Sequence, residues 1–338
     1  MILYATPFLL LGSVWAFRIL LGAAGPLLSV VLLLAILLGA EFVAPRAAPP
    51  ALEADRNFRT LFYIYVPLQL ASIAAGMWLA AKLGPLGLLS LAFSLGIMTG
   101  VFGMLAAHEL VHSRLSGERA LGTVMLSGML YRHFRIAHIH IHHRYVATEK
   151  DSATARLGEG FYGYLLRTLP GQFLEAWRIE RLRRAMWQNR VLWDLAIALV
   201  ILSAALILTG VKGAVFFMVQ AFVAIAVLEL FNYVAHYGLS RRVDARGHIE
   251  PLADRHSWNS SNLLVNFVIF NMGRHSHHHS RPSISYQGLE YKPSAPELPA
   301  GYAGSILLAL APPLWRRVMD RRVQRFEIAA APAMLAAE

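Results

Sequence analysis

The chain has 338 residues, of which 57% are hydrophobic and only 15% charged, with a net charge of +11 and no cysteine. A soluble domain carries roughly a quarter charged residues, so this deficit, with a mean hydropathy of +0.49, points to the bilayer. The lack of cysteine excludes disulfides, Cys-ligated zinc and any iron–sulfur or rubredoxin-type centre within this chain.

In chain order, six apolar runs read as membrane spans, at about 3–22, 26–44, 60–82, 86–112, 191–209 and 213–237. Gly25-Pro26 and Gly84-Pro85 break the first and second pairs, and Gly210 and Gly213 mark the join of the third, as tight hairpins require. The first run leads into further spans and lacks a basic start, so it is expected to be an anchor rather than a cleaved leader. Leu121–Leu130 and Leu263–Met272 are too short to cross and are expected to be re-entrant or buried helices under the site. Gly301 to Trp315, with Pro312-Pro313 inside it and a basic patch after it, is expected to lie in the membrane interface. With no repeat or low-complexity linker, residues 1–338 read as a single all-α membrane domain, a six-helix bundle.

Charge sets the orientation. Arg46, Arg56 and Arg59 fall in one loop, Arg178, Arg181, Arg183 and Arg184 in a second, and Arg316, Arg317, Arg321 and Arg322 in a third. The opposite hairpins carry only Lys82 and Lys212, and Arg18 sits near the end of the first span. The positive-inside rule then puts both termini in the cytoplasm, consistent with a bacterial inner membrane. The excess of arginine is thereby explained by cytoplasmic loops and anionic lipid, with no need for nucleic acid.

Every histidine cluster falls on that same side. His108 and His112, four apart at the end of the fourth span, share one helix face. In His138-Ile139-His140-Ile141-His142-His143, His138 and His142 are again one turn apart, with His143 adjacent. His275-Ser276-His277-His278-His279 offers pairs at i,i+3 and i,i+4, and His236 stands alone at the end of the sixth span. Nine neutral imidazoles exceed what one four-coordinate zinc needs and suit two metals with open positions; dioxygen chemistry at such sites points to iron. His140 and His277 sit on the wrong side of a turn and are expected to support the ligands or face solvent. His133, His248 and His256 have no partner spacing and read as structural or surface residues.

Taken together, these segments resemble the membrane-bound alkane hydroxylases, with xylene-type methyl hydroxylases and membrane fatty acid desaturases as wider relatives. The residues that carry the resemblance are His108 to His112, His138 through His143 extended by Val146-Ala147-Thr148 and Asp151, Asn232 to Leu239, and Arg274-His275-Ser276 with His278-His279. Gly301-Tyr302 and Pro312-Pro313-Leu314-Trp315-Arg316 extend it to about residues 60–325. The resemblance implies iron ligation by His108, His112, His138, His142, His143, His236, His275, His278 and His279. It also implies a six-helix fold with a cytoplasm-facing di-iron site, dioxygen as co-substrate, terminal hydroxylation of a hydrocarbon, and electrons from a rubredoxin-type donor with its reductase. The chain departs from the alkane pattern at Ala235, Ala137 and His277, where acidic residues are usual; xylene-type relatives also lack the first two acids.

Glu109, Asp151, Glu229 and Asn232 are the candidates for orienting the imidazoles. The substrate is expected to come from the bilayer between spans two to four, with Trp78, Phe93 and Met98 as wall residues. An aromatic methyl hydroxylase and a fatty acyl desaturase or hydroxylase are the alternatives within this chemistry. An intramembrane zinc protease using Glu109 as base leaves the other clusters unused, and a metal transporter would place its ligands near the midplane rather than at helix ends.

Overall fold

The computed structural model describes residues 2–43, 56–244 and 246–335. Arg46, one of the arginines that set the expected orientation, lies outside the described residues. The long apolar helices are α1 (Thr6–Leu21), α2 (Pro26–Val43), α3 (Arg56–Ala80) and α4 (Pro85–Val111). Shorter pieces follow: α5 (Ser116–Ser127), α6 (134–145) and α7 (Phe161–Arg183). After α8 (Arg190–His236) come α9 (Leu263–Val268), α10 (His275–Ser280), α11 (Gly301–Ala309) and α12 (Pro312–Leu335).

The breaks fall where the sequence puts them. Pro26 and Pro85 open α2 and α4, where a missing N–H costs nothing. Asn189 caps α8 by accepting from the amides of Val191 and Leu192. Among the described residues, five helices are long and apolar enough to cross a membrane, the last being the 47 residues of α8. A straight helix of that length would run about 70 Å. Yet Asp194, near its start, bonds Arg132 and Arg135 close to the second histidine cluster, and His236, at its end, meets the third. The chain therefore doubles back, and it does so at Gly210 (φ 71°, ψ −175°), a backbone open to glycine.

The returning half of α8 packs along α3 and α4 through small residues. A Cβ on Gly96 would sit 2.8 Å from the Gln220 carbonyl oxygen, and one on Gly100 would sit 2.7 Å from that of Ala224. Such close backbone approach is how membrane helices gain contact when no hydrophobic effect drives them together. At the other end of the bundle Lys212 donates to the Leu83 carbonyl.

One expectation changes. The run from Gly301 to Trp315 is not one helix: α11 is packed beside α8 and α2, with Tyr302 and Ala303 buried, and the Pro312-Pro313 pair starts a new helix. That helix, α12, buries Trp315, Met319 and Val323 along one edge against the protein. The Leu263–Met272 stretch does form a short buried element, α9, packed on α2.

Candidate metal centre

The last turns of α4 bring His108 and His112 to the site on one face. Just before them, Thr99–Gly103 is a π-turn, with the Met104 amide donating to Thr99 five residues back. A second π-turn lies inside α6, where the His143 amide donates to the His138 carbonyl. Five residues per loop put His138 and His143 on the same side and turn His142 away from them. The i,i+4 spacing read from the sequence paired His138 with His142; the wider turn pairs it with His143. Such single π-turns cluster at functional sites.

The imidazoles gather as two groups. His108, His112, His138, His143 and His278 form one, and His142, His236, His275 and His279 the other; in each, the ligand atoms lie within 4.8 Å of one another. In the first, the Nε2 atoms of His112, His138 and His143 form a triangle with edges of 3.1, 3.1 and 3.0 Å, and His278 Nε2 lies 3.2 Å from that of His143. In the second, His275 Nε2 is 3.1 Å from the Nε2 atoms of both His236 and His279. The two groups abut, with the His143 and His279 rings 4.7 Å apart between centroids.

These distances fit a metal better than hydrogen bonds. A ring N–H can point at only one neighbour, so a closed triangle of Nε2 atoms cannot be satisfied by protons alone. Adjacent ligands about 2.1 Å from one ion are separated by about 3.0 Å when they subtend a right angle. Buried nitrogens left without partners support this fit: both of His108, and Nε2 of His142. Burial holds His138, His143, His275, His278 and His279 well below the ordinary imidazole range, and the facing imidazoles push the same way. They are therefore neutral, the form that binds metal.

The four candidates for orienting the imidazoles separate clearly. Asp151 Oδ2 accepts from His142 Nδ1 at 2.8 Å and from Thr154 Oγ1 at 2.7 Å, while Oδ1 accepts from the Ala153 amide at 3.0 Å. Burial alone would raise this carboxyl, but the His142 contact and the other bonds outweigh it and leave it below the usual carboxylate range. Glu229 instead accepts from Tyr131, Tyr164, Gln172 and Asn232, tying α8 to α7, and touches no imidazole. Asn232 bonds Glu229 and faces the cavity described below. Glu109 accepts from the Tyr286 amide at 3.4 Å, so it is turned away from the position a zinc-protease base would need.

Of the remaining histidines, all but His256 stand apart. His140 faces Arg183, His277 accepts from the Glu290 amide, and His248 is exposed beside Asp244. His133 packs on Tyr131 and Phe173. His256 reaches the site through its backbone, which sequence spacing does not reveal. Its carbonyl and the Ser257 hydroxyl each lie 3.4 Å from His236 Nδ1, leaving Nε2 directed at His275.

An apolar cavity ends on both groups, at His108, His138 and His275. Its walls come from α2 (Leu37), α4 (Gly100, Met104), α8 (Leu228, Phe231), α9 (Val265) and α11 (Tyr302, Ile306). Trp78 and Phe93 are instead exposed on the outside of the bundle, and Met98 is buried away from the lining. Of the spans expected to line the route, two and four do so and the third contributes no lining residue; α8, α9 and α11, which the sequence holds far from α4, supply the rest.

The fatty acid desaturase family model matches residues 83–304. Over 326 residues the chain is 37% identical to alkane 1-monooxygenase 1 of Pseudomonas aeruginosa, covering 92% of this chain and 84% of that protein. It is 37% identical to the alkane 1-monooxygenase of Ectopseudomonas oleovorans over 288 residues, covering 82% of this chain and 72% of that one. The xylene/toluene monooxygenase hydroxylase component of Pseudomonas putida is 28% identical over 238 residues, or 68% of this chain and 63% of that protein.

Proposed function

This chain belongs to the alkane 1-monooxygenases, within the wider fatty acid desaturase family, and on that premise we propose that it is a di-iron enzyme converting the terminal methyl of an alkane to a primary alcohol. The balance is one hydrocarbon, one dioxygen, two electrons and two protons in, and one alcohol and one water out. The observation that carries the reading is the apolar cavity ending on both imidazole groups.

In this reading His108, His112, His138, His143 and His278 hold one iron, and His142, His236, His275 and His279 the other. Bound there, the irons supply the dioxygen activation that no amino-acid side chain can perform. The protein does the rest. Asp151 holds the Nδ1 proton of His142 and so leaves its Nε2 free to bind, and the His256 carbonyl with Ser257 does the same for His236. Met104, Phe231, Val265 and Ile306 exclude water and lead a hydrocarbon end-on towards the histidines. With no cysteine to build a redox centre of its own, the chain takes its electrons from a rubredoxin-type protein and its reductase.

The hairpin at Gly210 makes α8 two crossings, which supports six spans in one domain with both termini and the site at the cytoplasmic face of an inner membrane. Ala137 and Ala235 keep an aromatic methyl group as the second substrate to test. Iron-loaded protein should be given rubredoxin, reductase, NADH and labelled dioxygen, with octane, a longer alkane or a methylbenzene. Label in a primary alcohol supports the reading, and the preferred substrate assigns the class. Reducible, fully loaded enzyme that yields no labelled alcohol from any of them refutes hydrocarbon hydroxylation.

A further inference from the structure

Resting on that reading, a second recess has a role of its own. On α12, Arg317, Arg321 and Arg325 recur every four residues and so share one exposed stripe, with Arg322 beside them. They rim a groove floored by Trp258, Pro296 and Phe326. Among the described residues no carboxylate forms an ion pair with Arg317, Arg321 or Arg325, and Arg322 donates only to the Glu297 carbonyl.

The floor connects directly to the metal centre. The Trp258 amide donates to the Ala235 carbonyl at 2.8 Å, and its indole Nε1 donates to the Tyr237 carbonyl at 2.9 Å, bracketing His236. The residue before it, Ser257, places its hydroxyl 3.4 Å from His236 Nδ1. From the floor of the groove to a histidine of the four-membered group the path thus runs through one residue and a few hydrogen bonds.

We propose that this groove is the docking face for a small acidic one-electron carrier protein, with Trp258 and Ser257 lying between the carrier and His236. An aromatic floor with an arginine rim is the composition of a protein-binding patch. A membrane surface fits less well. A helix lying in the interface turns its apolar edge to lipid, whereas α12 spends Trp315, Met319 and Val323 on the protein, Trp315 packing on Tyr233 and Tyr237. Each turnover takes two electrons, so the carrier binds, passes one and leaves, twice. A contact of arginines on exposed carboxylates suits such a partner, being fast and salt-sensitive.

The test uses the full chain in nanodiscs, loaded with iron, and a purified acidic rubredoxin as probe. Three charge reversals, Arg317→Glu, Arg321→Glu and Arg325→Glu, are combined and compared with the matching triple lysine variant. Binding is read by biolayer interferometry and turnover by the donor concentration dependence. Steering by complementary charge is worth about 10- to 1000-fold in association, so the glutamate variant should lose at least about tenfold in affinity and in kcat/KM for the donor. Its rate should also stop falling with added salt, while the lysine variant stays near wild type. Single turnover driven by dithionite should keep its yield in all three. Unchanged donor affinity and salt dependence in the glutamate variant would overturn the proposal, as would an effect that follows the anionic lipid content of the disc and not the donor. Dithionite turnover absent even from wild type would count against the oxygenase reading alone, because rubredoxin binding is measured separately.

Discussion

Replacing Asp151 with asparagine changes one atom and should unload one metal. All three groups that Asp151 meets are donors: His142 Nδ1 and Thr154 Oγ1 at one oxygen, and the Ala153 amide at the other. An asparagine can keep its oxygen on His142 only by turning its NH2 against the Ala153 N–H, and the reverse placement faces His142 with a donor. Either way a buried donor loses its partner, which costs about 1–3 kcal/mol. Loss of a carboxylate behind a ligating histidine lowers metal affinity about 10- to 100-fold, or roughly 1.4–2.7 kcal/mol. His142 belongs to the four-histidine group only. Anaerobic titration with ferrous iron, followed by desalting and elemental analysis, should therefore show the Asp151→Asn protein falling from two irons towards one. Thr154→Val, which leaves the His142 bond in place, should stay near two. Retention of both irons at wild-type affinity in Asp151→Asn, or equal loss of both, would refute the division of histidines argued above.

Acidification should destabilise the metal-free protein. In the folded chain His138, His143, His278 and His279 are held neutral far below their ordinary range, whereas an unfolded chain protonates near pH 6.5. The unfolded state then binds more protons, so stability is present above about pH 6.5 and drains away as the pH falls below it; a differential scanning fluorimetry Tm that is flat between pH 7.5 and 5.5 would contradict this. Gly100→Ala should cost about 1–3 kcal/mol through overpacking, because the added Cβ meets the Ala224 carbonyl and Val227; a denaturation midpoint equal to wild type would show that α4 and α8 part freely. Glu229→Gln should destabilise by about 1–3 kcal/mol, since a new NH2 must face Tyr131 and Gln172 or Tyr164 and Asn232, and only the tyrosines can accept; iron content should remain at two, because no imidazole contacts Glu229.

What the sequence reveals and what it hides follow one physical division. Spacing along a helix is local, so the pairs His108 and His112, and His275 and His279, can be read directly and sit on one face as expected. That inference assumes 3.6 residues per turn, and it fails within α6 because the backbone there bonds five residues back. Nothing in His138 through His143 announces the wider turn by composition. Its consequence is large, because it decides which histidine joins which group.

The cavity was harder still to foresee, for a reason of chain distance rather than turn geometry. Its walls come from positions as far apart as Leu37 and Ile306, joined only by packing. Trp78 and Phe93 carry the bulk that suggests a wall, yet they point out of the bundle, where size and apolarity serve lipid equally well. The residues that line the route are distinguished by neighbours and not by type. Glu229 makes the same point from the opposite side: a carboxylate in an apolar helix requires partners, and the sequence can say that much. Whether those partners are imidazoles or, as here, Tyr131, Tyr164, Gln172 and Asn232 depends on which face of α8 the long α7 covers. A buried carboxyl group thus marks a site of consequence without naming it, and its work here is to fix α8, from which His236 reaches the metal centre.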